Sequence, residues 1–399
     1  MFQVYRSRNP TLTNTCNRHL IIVNYAYDQN IGSPAELIEQ FIMQTRWAEA
    51  CVSHGVQVTV FQRFNSDHQL RIKGVNYVFV KDSLNPLPSF YSCAISINRK
   101  IKNYIKSVRE ISSSNQVTIH IHALIFPTSI FQLLRGLDAS VHCIIQHHAE
   151  SPKNKLLCWI TKLFDSRIKH YFFTTKWHAE EWVRNNAITE SKVAEIMECS
   201  SDCKPSDKIK AQQETNLSGQ PLLLWTANLN SNKDPITILS GFERFSLKYP
   251  DAKLLMIYRG TQLLDSVQQK ITNSVTLQQR VNLIGEIKYD QIGAYFNAAD
   301  IFVQGSSNEG SGIAILDAIA CGCIPVITKI PSFIKLTDNS SIGKLWSIGN
   351  SNDFCDSLLE IMQNDLSHEQ ENCRSLFQKT WTFDAITKKS MSYYFDLQR

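Results

Sequence analysis

Two carboxylates bracket a glycine-rich turn late in the 399-residue chain. Glu309 stands just before Gly310-Ser311-Gly312, and Asp317 follows it by eight positions in an apolar run that ends at Gly322. Glycine favours the position just past a helix, so the run predicts a helix from near Gly312 to near Gly322. The start of such a helix offers unpaired amides and the positive end of a dipole, a setting suited to phosphate. Gly310 and Gly312 let a ligand come close to the backbone, and the amides of Ser311 and Ile313 belong to the same turn. Carboxylates accept hydrogen bonds from pairs of sugar hydroxyls. Eight helical residues rise about 12 Å and return to within roughly 80° of the same face, a span that fits a hexose at one end of a diphosphate and a ribose at the other. A nucleotide sugar would then touch three points: Glu309, the helix start and Asp317.

Two α/β modules in series are expected to position these residues. The first opens with a strand-like run over 20–25, a loop containing Gly32 and Pro34, an apolar-periodic helix over 35–53 ended by Gly55, and a second strand over 56–61. That is one βαβ unit, the start of a parallel sheet. Further strands are expected over 77–80, 117–122, 142–146, 171–174 and 193–197. The polar stretch 200–220 has no apolar period and reads as a linker. After it the alternation restarts, with strands expected over 222–226, 253–258, 281–284, 301–304 and 324–328. The implied domains are 1–215 and 216–380, with a closing helix in 381–399. Ligands of such sheets lie beyond the carboxyl ends of the strands, which points to the cleft between two lobes.

The segment EGSGIAILDAIACGCIPV resembles the signature of the retaining glycosyltransferases of family 4 (the group 1 glycosyltransferases), whose members typically read EGxGxxxLEAMACGxPVV. In that family the first acid meets the donor sugar and the second the ribose, which the resemblance assigns to Glu309 and Asp317, the latter one methylene shorter than the usual Glu. The run Leu224-Trp-Thr-Ala-Asn228-Leu-Asn-Ser-Asn-Lys233 is similar to the opening strand and loop of the family's second lobe, where an arginine and a lysine bind the diphosphate. Lys233 matches the lysine. Asn228 stands where arginine is expected, and Arg259, at the end of the next strand, is a candidate to compensate. Gly285, in Val-Asn-Leu-Ile-Gly285, matches the segment that lines the nucleobase. On the acceptor side Gly32 falls where the family often has a glycine pair. His148, with His147 as the alternative, falls where it has a histidine near the reacting sugar. The resemblance implies a GT-B fold, two Rossmann-like domains facing each other across a cleft, with the last helix crossing back to the first. It also implies a hexosyltransferase that moves sugar from a nucleoside diphosphate to an acceptor hydroxyl with retention, without a metal, in surface glycan or polysaccharide biosynthesis. The rival readings are a catalytically silent sugar-nucleotide-binding protein, to which Asn228 points, and a sugar-nucleotide epimerase of the same fold.

Bulk properties narrow the partners. Hydrophobic residues make up 43% and charged residues 19%, ordinary values for a globular protein. No apolar run is long enough to span a bilayer, and the first twenty residues lack the apolar centre of a signal peptide, so a cytoplasmic address is the expectation. Eleven cysteines without a framework read as reduced thiols. His120 and His122 share a strand face and, with His147 and His148, resemble a metal cluster, but no carboxylate or cysteine completes a ligand set, and no acidic pair is placed for a nucleotide-bound metal. No cofactor is therefore expected. Up to Thr215 there are 25 Lys and Arg against 18 Asp and Glu, and afterwards 16 against 18. The first half is thus the one to meet an anion. No basic-aromatic motif for nucleic acid appears, which leaves a glycan or lipid-linked acceptor or an anionic membrane surface, with peripheral contact on the cytoplasmic face. Two basic amphipathic helices bear on this point, over 97–109 and 152–169. The first must cover a sheet. For the second, which follows the histidine pair, packing and membrane contact both stand.

Overall fold

The computed structural model describes residues 17–81, 94–112, 114–152 and 154–395. The chain divides into two compact units, one reaching to Cys199 and resuming at Phe383, the other Ser200–Thr382.

The strands of the first unit are β1 (Arg18–Asn24), β2 (Gln57–Phe64), β3 (His68–Ile72), β4 (Val75–Lys81), β5 (Gln116–His122), β6 (His142–Gln146), β7 (His170–Phe173) and β8 (Val193–Glu195). They form one sheet in the order β3-β4-β2-β1-β5-β6-β7-β8. All pair in parallel except β3, an antiparallel edge strand hinged on Lys73 and Gly74, both at positive φ. Such a two-residue turn suits the twist of a hairpin. β3 is mostly exposed, so it lacks the alternation that marks a half-buried strand and is absent from the pattern read in the sequence. The helices are α1 (Pro34–Gln40), α2 (Ile42–Ser53), α3 (Ile95–Ile111), α4 (Pro127–Leu134), α5 (Lys155–Asp165) and α6 (Lys176–Arg184). The helix expected over 35–53 is two, broken at Phe41, where ψ is 39°; no proline or glycine there signals the break. α3 buries Ile97, Ile101, Ile105 and Val108, the packing expected of it.

The second unit contains α7 (Lys208–Thr215), β9 (Leu222–Asn228), α8 (Pro235–Lys248), β10 (Lys253–Arg259), α9 (Leu264–Thr272), α10 (Val275–Arg280), β11 (Val281–Gly285), α11 (Ile292–Ala298), β12 (Ile301–Gln304), α12 (Ile313–Cys321), β13 (Ile324–Thr328), α13 (Pro331–Leu336), β14 (Lys344–Trp346), α14 (Ser351–Ile361) and α15 (Leu366–Leu376). Its six strands run β11-β10-β9-β12-β13-β14, all parallel. The order reverses between β9 and β12, so the loops after them lie at the topological switch point, where open α/β sheets place ligands.

The stretch read as a linker, 200–220, is not free chain. α7 within it packs on α11, and its ties are largely polar: Lys208 pairs with Asp300, the Ser206 amide donates to Asn297 Oδ1 at 2.7 Å, and Gln212 donates to the Ala298 carbonyl at 3.1 Å. Because only Ala211 of the helix is buried, no apolar period announces it. The last helix, α16 (Phe383–Tyr394), belongs to the first unit. Tyr394 is fully buried there, accepting from Trp47 Nε1 at 3.0 Å, lying 2.8 Å from His120 Nδ1, and accepting at its carbonyl from Thr118 at 2.5 Å.

Candidate functional site

The second unit assembles its site from two loops at that switch point. After β9 the chain makes a short 3-10 turn, Ser231–Lys233, capped by Asn230, whose side chain accepts from the Lys233 amide. Asp234, at φ 41°, then caps α8, with Pro235 in the first helical turn. After β12 comes the loop 305–312. The two loops touch at Gly305, where a Cβ would stand 3.2 Å from the carbonyls of both Lys233 and Asp234. Asn232 ties them together. Its carbonyl accepts from the Ser307 amide at 2.9 Å, its Oδ1 from the Asn308 amide at 3.0 Å and Ser307 Oγ at 2.7 Å, and its Nδ2 donates to the Asn308 carbonyl at 2.9 Å.

The result is an ion pair between Lys233 Nζ and Glu309 Oε1, two residues 76 positions apart, each side chain only 15% exposed. Gln304 Nε2 lies 3.4 Å from the same carboxylate oxygen, and Ser332 Oγ donates to the Glu309 carbonyl. Gly312 begins α12 at φ 64°, and a Cβ there would meet Leu336 at 2.8 Å. Gly310 and Ser311 complete the turn. No side chain caps α12, so donors at its start around Ile313 are available to an anion.

Asp317 lies inside α12 and is 3% exposed. Ser201 Oγ donates to its Oδ1 at 2.5 Å and the Tyr289 hydroxyl reaches the same oxygen at 3.4 Å. Burial pushes its carboxyl up to about 6, against the opposing effect of the Ser201, Cys203 and Tyr289 hydrogen bonds. Burial, together with the Asp317 charge, also raises the Tyr289 phenol. Asn228 and Arg259 end adjacent strands and are register partners. Arg259 Nε is 2.9 Å from Glu286, an exposed pair, and Gly285 stands just before that glutamate at φ 81°. Thus Asn228, Arg259 and Gly285 share one sheet edge, and Lys233, Glu309 and the α12 start form one cluster.

The first unit gathers a second polar cluster at the carboxyl ends of its central strands. His148 follows β6, and both its ring nitrogens are engaged: Nδ1 pairs with Glu198 and Nε2 lies 2.8 Å from His122 Nδ1. Burial opposes protonation of His148, but Glu198 and Glu150 outweigh it and hold the imidazole above the ordinary histidine range. Burial lowers His120 to about 3, with the His148 charge adding to it, and holds His122 well below its ordinary value. His147 is buried and stacked on Phe173, and burial lowers it to about 4. Its Nδ1 accepts from the Ala149 amide at 3.2 Å and its Nε2 is 2.6 Å from the Glu150 carbonyl. Of the two histidines, His148 is the more exposed, but a bond from it to a sugar requires one of its present partners to leave. Gly32 lies in the exposed loop after β1, its amide donating to Glu36 at 3.0 Å. Among the described residues no group of three or more His, Cys, Asp or Glu is placed to hold a metal ion.

Sequence reasoning did not single out Asn232, Gly305, Gln304, Ser201, Tyr289 or Glu198. All but Gln304, whose partners Ser306 and Glu309 are close in sequence, act through a partner distant in sequence. Their one legible signal was position, since Gln304 ends a strand and Asn232 and Gly305 follow the ends of strands in a parallel sheet.

Two parallel-sheet α/β domains of this kind make the GT-B fold. Residues 207–376 match the family model described as glycosyl transferases group 1. Through these residues the chain resembles the group 1 glycosyltransferases. It is 30% identical over 121 residues to the GDP-mannose:cellobiosyl-diphosphopolyprenol alpha-mannosyltransferase of Xanthomonas oryzae pv. oryzae, covering 30% of this chain and 32% of that protein. It is 20% identical over 196 residues to the N-acetyl-alpha-D-glucosaminyl L-malate synthase of Bacillus anthracis, covering 48% of this chain and 50% of that protein. The chain therefore spans about a third to a half of these relatives' length. Among solved structures, Anabaena HepE in complex with UDP and glucose superposes with a TM-score of 0.65 at 13% identity, covering 95% of this chain and 100% of that one. At that identity the likeness concerns the fold.

Proposed function

We propose that the protein transfers a hexosyl group from a nucleoside diphosphate sugar to an acceptor hydroxyl, with retention, in the assembly of a surface glycan or polysaccharide on a glycan or lipid-linked acceptor at the cytoplasmic face of a membrane. The observation that carries this reading is the Lys233–Glu309 pair beside the uncapped start of α12. Departure of the nucleoside diphosphate builds negative charge on the diphosphate and positive charge on the sugar. Lys233 and the amides of Gly310, Ser311, Gly312 and Ile313 are the donors for the leaving diphosphate, acting where that charge develops. Glu309, released from Lys233 as the diphosphate takes its place, accepts from the hexose hydroxyls and orients the ring. Asp317 accepts from the ribose. Gly285 leaves room at the sheet edge for the base, and Arg259 stands beside Asn228 to supply a cation at that edge. The named relatives use GDP-mannose and a diphosphopolyprenol in one case, and HepE holds UDP and glucose; these support the donor and acceptor classes. Lys233 and the helix-start amides are the groups proposed to meet the leaving charge, and transfer is expected without a metal or other cofactor.

Asn228 in place of a basic residue, with Arg259 paired to Glu286, favours one second reading: a sugar-nucleotide-binding protein without turnover. The test is a thermal-shift screen against UDP-, GDP- and ADP-sugars, followed by an assay for nucleoside diphosphate release with acceptor extract. A stabilising donor with acceptor-dependent release supports transfer. Binding without release supports the silent protein, and free epimerised sugar supports an epimerase. No donor that stabilises refutes all three.

A further inference from the structure

The outer face of α5 carries an apolar stripe. Leu157, Cys158, Thr161 and Phe164 are buried, yet Leu156, Trp159 and Leu163, on the opposite side at helical spacing, are 60%, 59% and 47% exposed. Phe131, on the adjoining helix α4, is also exposed. An apolar helix face left in water costs free energy, and a run of large side chains including an indole marks a surface with a partner. The charge along this segment is one-sided, although Glu181 of α6 acts on Cys158 from the neighbouring helix. Residues 152–169 contain five Lys and Arg and a single acid, Asp165. That acid is itself buried and engaged by Tyr171 and Thr189. Lys155 is exposed at the start of the helix, and Lys162 stays 39% exposed although it reaches Asp165 at 3.3 Å. A second copy of the chain docked here about a two-fold axis would set this basic helix against itself, like charge on like. A leaflet with anionic headgroups instead offers negative charge for the lysines and a boundary layer for Trp159 and the leucines.

We propose that α5 is a membrane-docking element, lying along an anionic phospholipid surface with Leu156, Trp159 and Leu163 in the acyl boundary. The proposal deepens the lipid-linked acceptor reading above and rests on it for its purpose, while its physical case stands on the helix. The experiment is co-sedimentation of the intact chain with vesicles of phosphatidylcholine alone and of phosphatidylcholine with phosphatidylglycerol, using wild type, Leu156→Gln/Trp159→Gln and Lys155→Glu. All three substituted side chains are exposed, so the fold is retained, which circular dichroism checks. Wild type is expected to sediment only with the anionic vesicles, less as salt rises. The double variant is expected to lose about tenfold in partitioning, and Lys155→Glu several-fold. Sedimentation with neither vesicle or equally with both, or a double variant that partitions like wild type, overturns the proposal. So does a wild-type dimer that the double variant converts to monomer without vesicle binding. Donor stabilisation is read on the same preparations. Vesicle binding without any donor response overturns the transferase reading alone, and a donor response without vesicle binding overturns the docking alone.

Discussion

Replacing Asp317 by Asn tests the donor site most directly, because the fold holds that carboxyl in an unusual state. Its ordinary value of 3.8 rises to about 6 through burial. The corresponding difference in free energy between protonated and ionised forms is about 3 kcal/mol. The folded protein thus favours the protonated form. The stability this confers is fully present below about pH 4 and is lost as pH rises through about 6. Ribose hydroxyls donate best to the ionised form. Asp317 is about one-tenth ionised at about pH 5 and about nine-tenths at about pH 7, so donor affinity should rise about tenfold between them. The diphosphate of a nucleotide sugar is a diester and does not titrate in this window, so the slope belongs to the protein. Asp317→Asn should bind donor more weakly at about pH 7 and with a flat profile. Between about pH 5 and pH 8 the variant should also avoid the wild type's loss of about 1.4 kcal/mol, a relative shift of roughly 3–6 °C for a domain of this size. Calorimetric titration and thermal melts at several pH values measure both. A wild-type affinity independent of pH, or an Asn variant with the same slope, would refute the assignment of Asp317 to the ribose.

Four further outcomes are expected. Glu309→Ala should lower turnover by a factor of roughly 100, about 3 kcal/mol of barrier, with donor binding less affected; near-normal single-turnover transfer in a folded variant would remove its role. Lys233→Ala should weaken binding of free nucleoside diphosphate by about tenfold or more, read by titration, and unchanged affinity would mean that the lysine faces no diphosphate. Transfer should persist in excess chelator, and loss that added Mg²⁺ or Mn²⁺ restores would contradict the metal-free mechanism. In the first unit, Tyr394→Phe leaves Trp47 Nε1 and His120 Nδ1 without their shared hydroxyl partner. Denaturant melts should show a loss of about 1–3 kcal/mol, and a neutral result would argue against that buried link.

Much of this protein was legible in its residue order, for identifiable reasons. A parallel strand is buried on both faces and reads as a short apolar run, so β1, β5, β9, β12 and β13 stood out, as did α12 between Gly312 and Gly322. Glu309 and Asp317 could be named because one glycine-bounded helix fixes their spacing. Elements held by polar or exposed contacts were silent: the edge strand β3, and α7 inside the apparent linker, anchored by Lys208, Ser206 and Gln212. Only the tertiary structure decided what each polar group faces. It joined Lys233 to Glu309 across 76 positions, stapled their loops through Asn232, buried Asp317 against Ser201, engaged both nitrogens of His148, and left Trp159 in water. The physical reason is that periodicity reports which face of an element is apolar, whereas the protonation and partners of a side chain depend on groups brought near by the packing of other elements, and no local spacing encodes them.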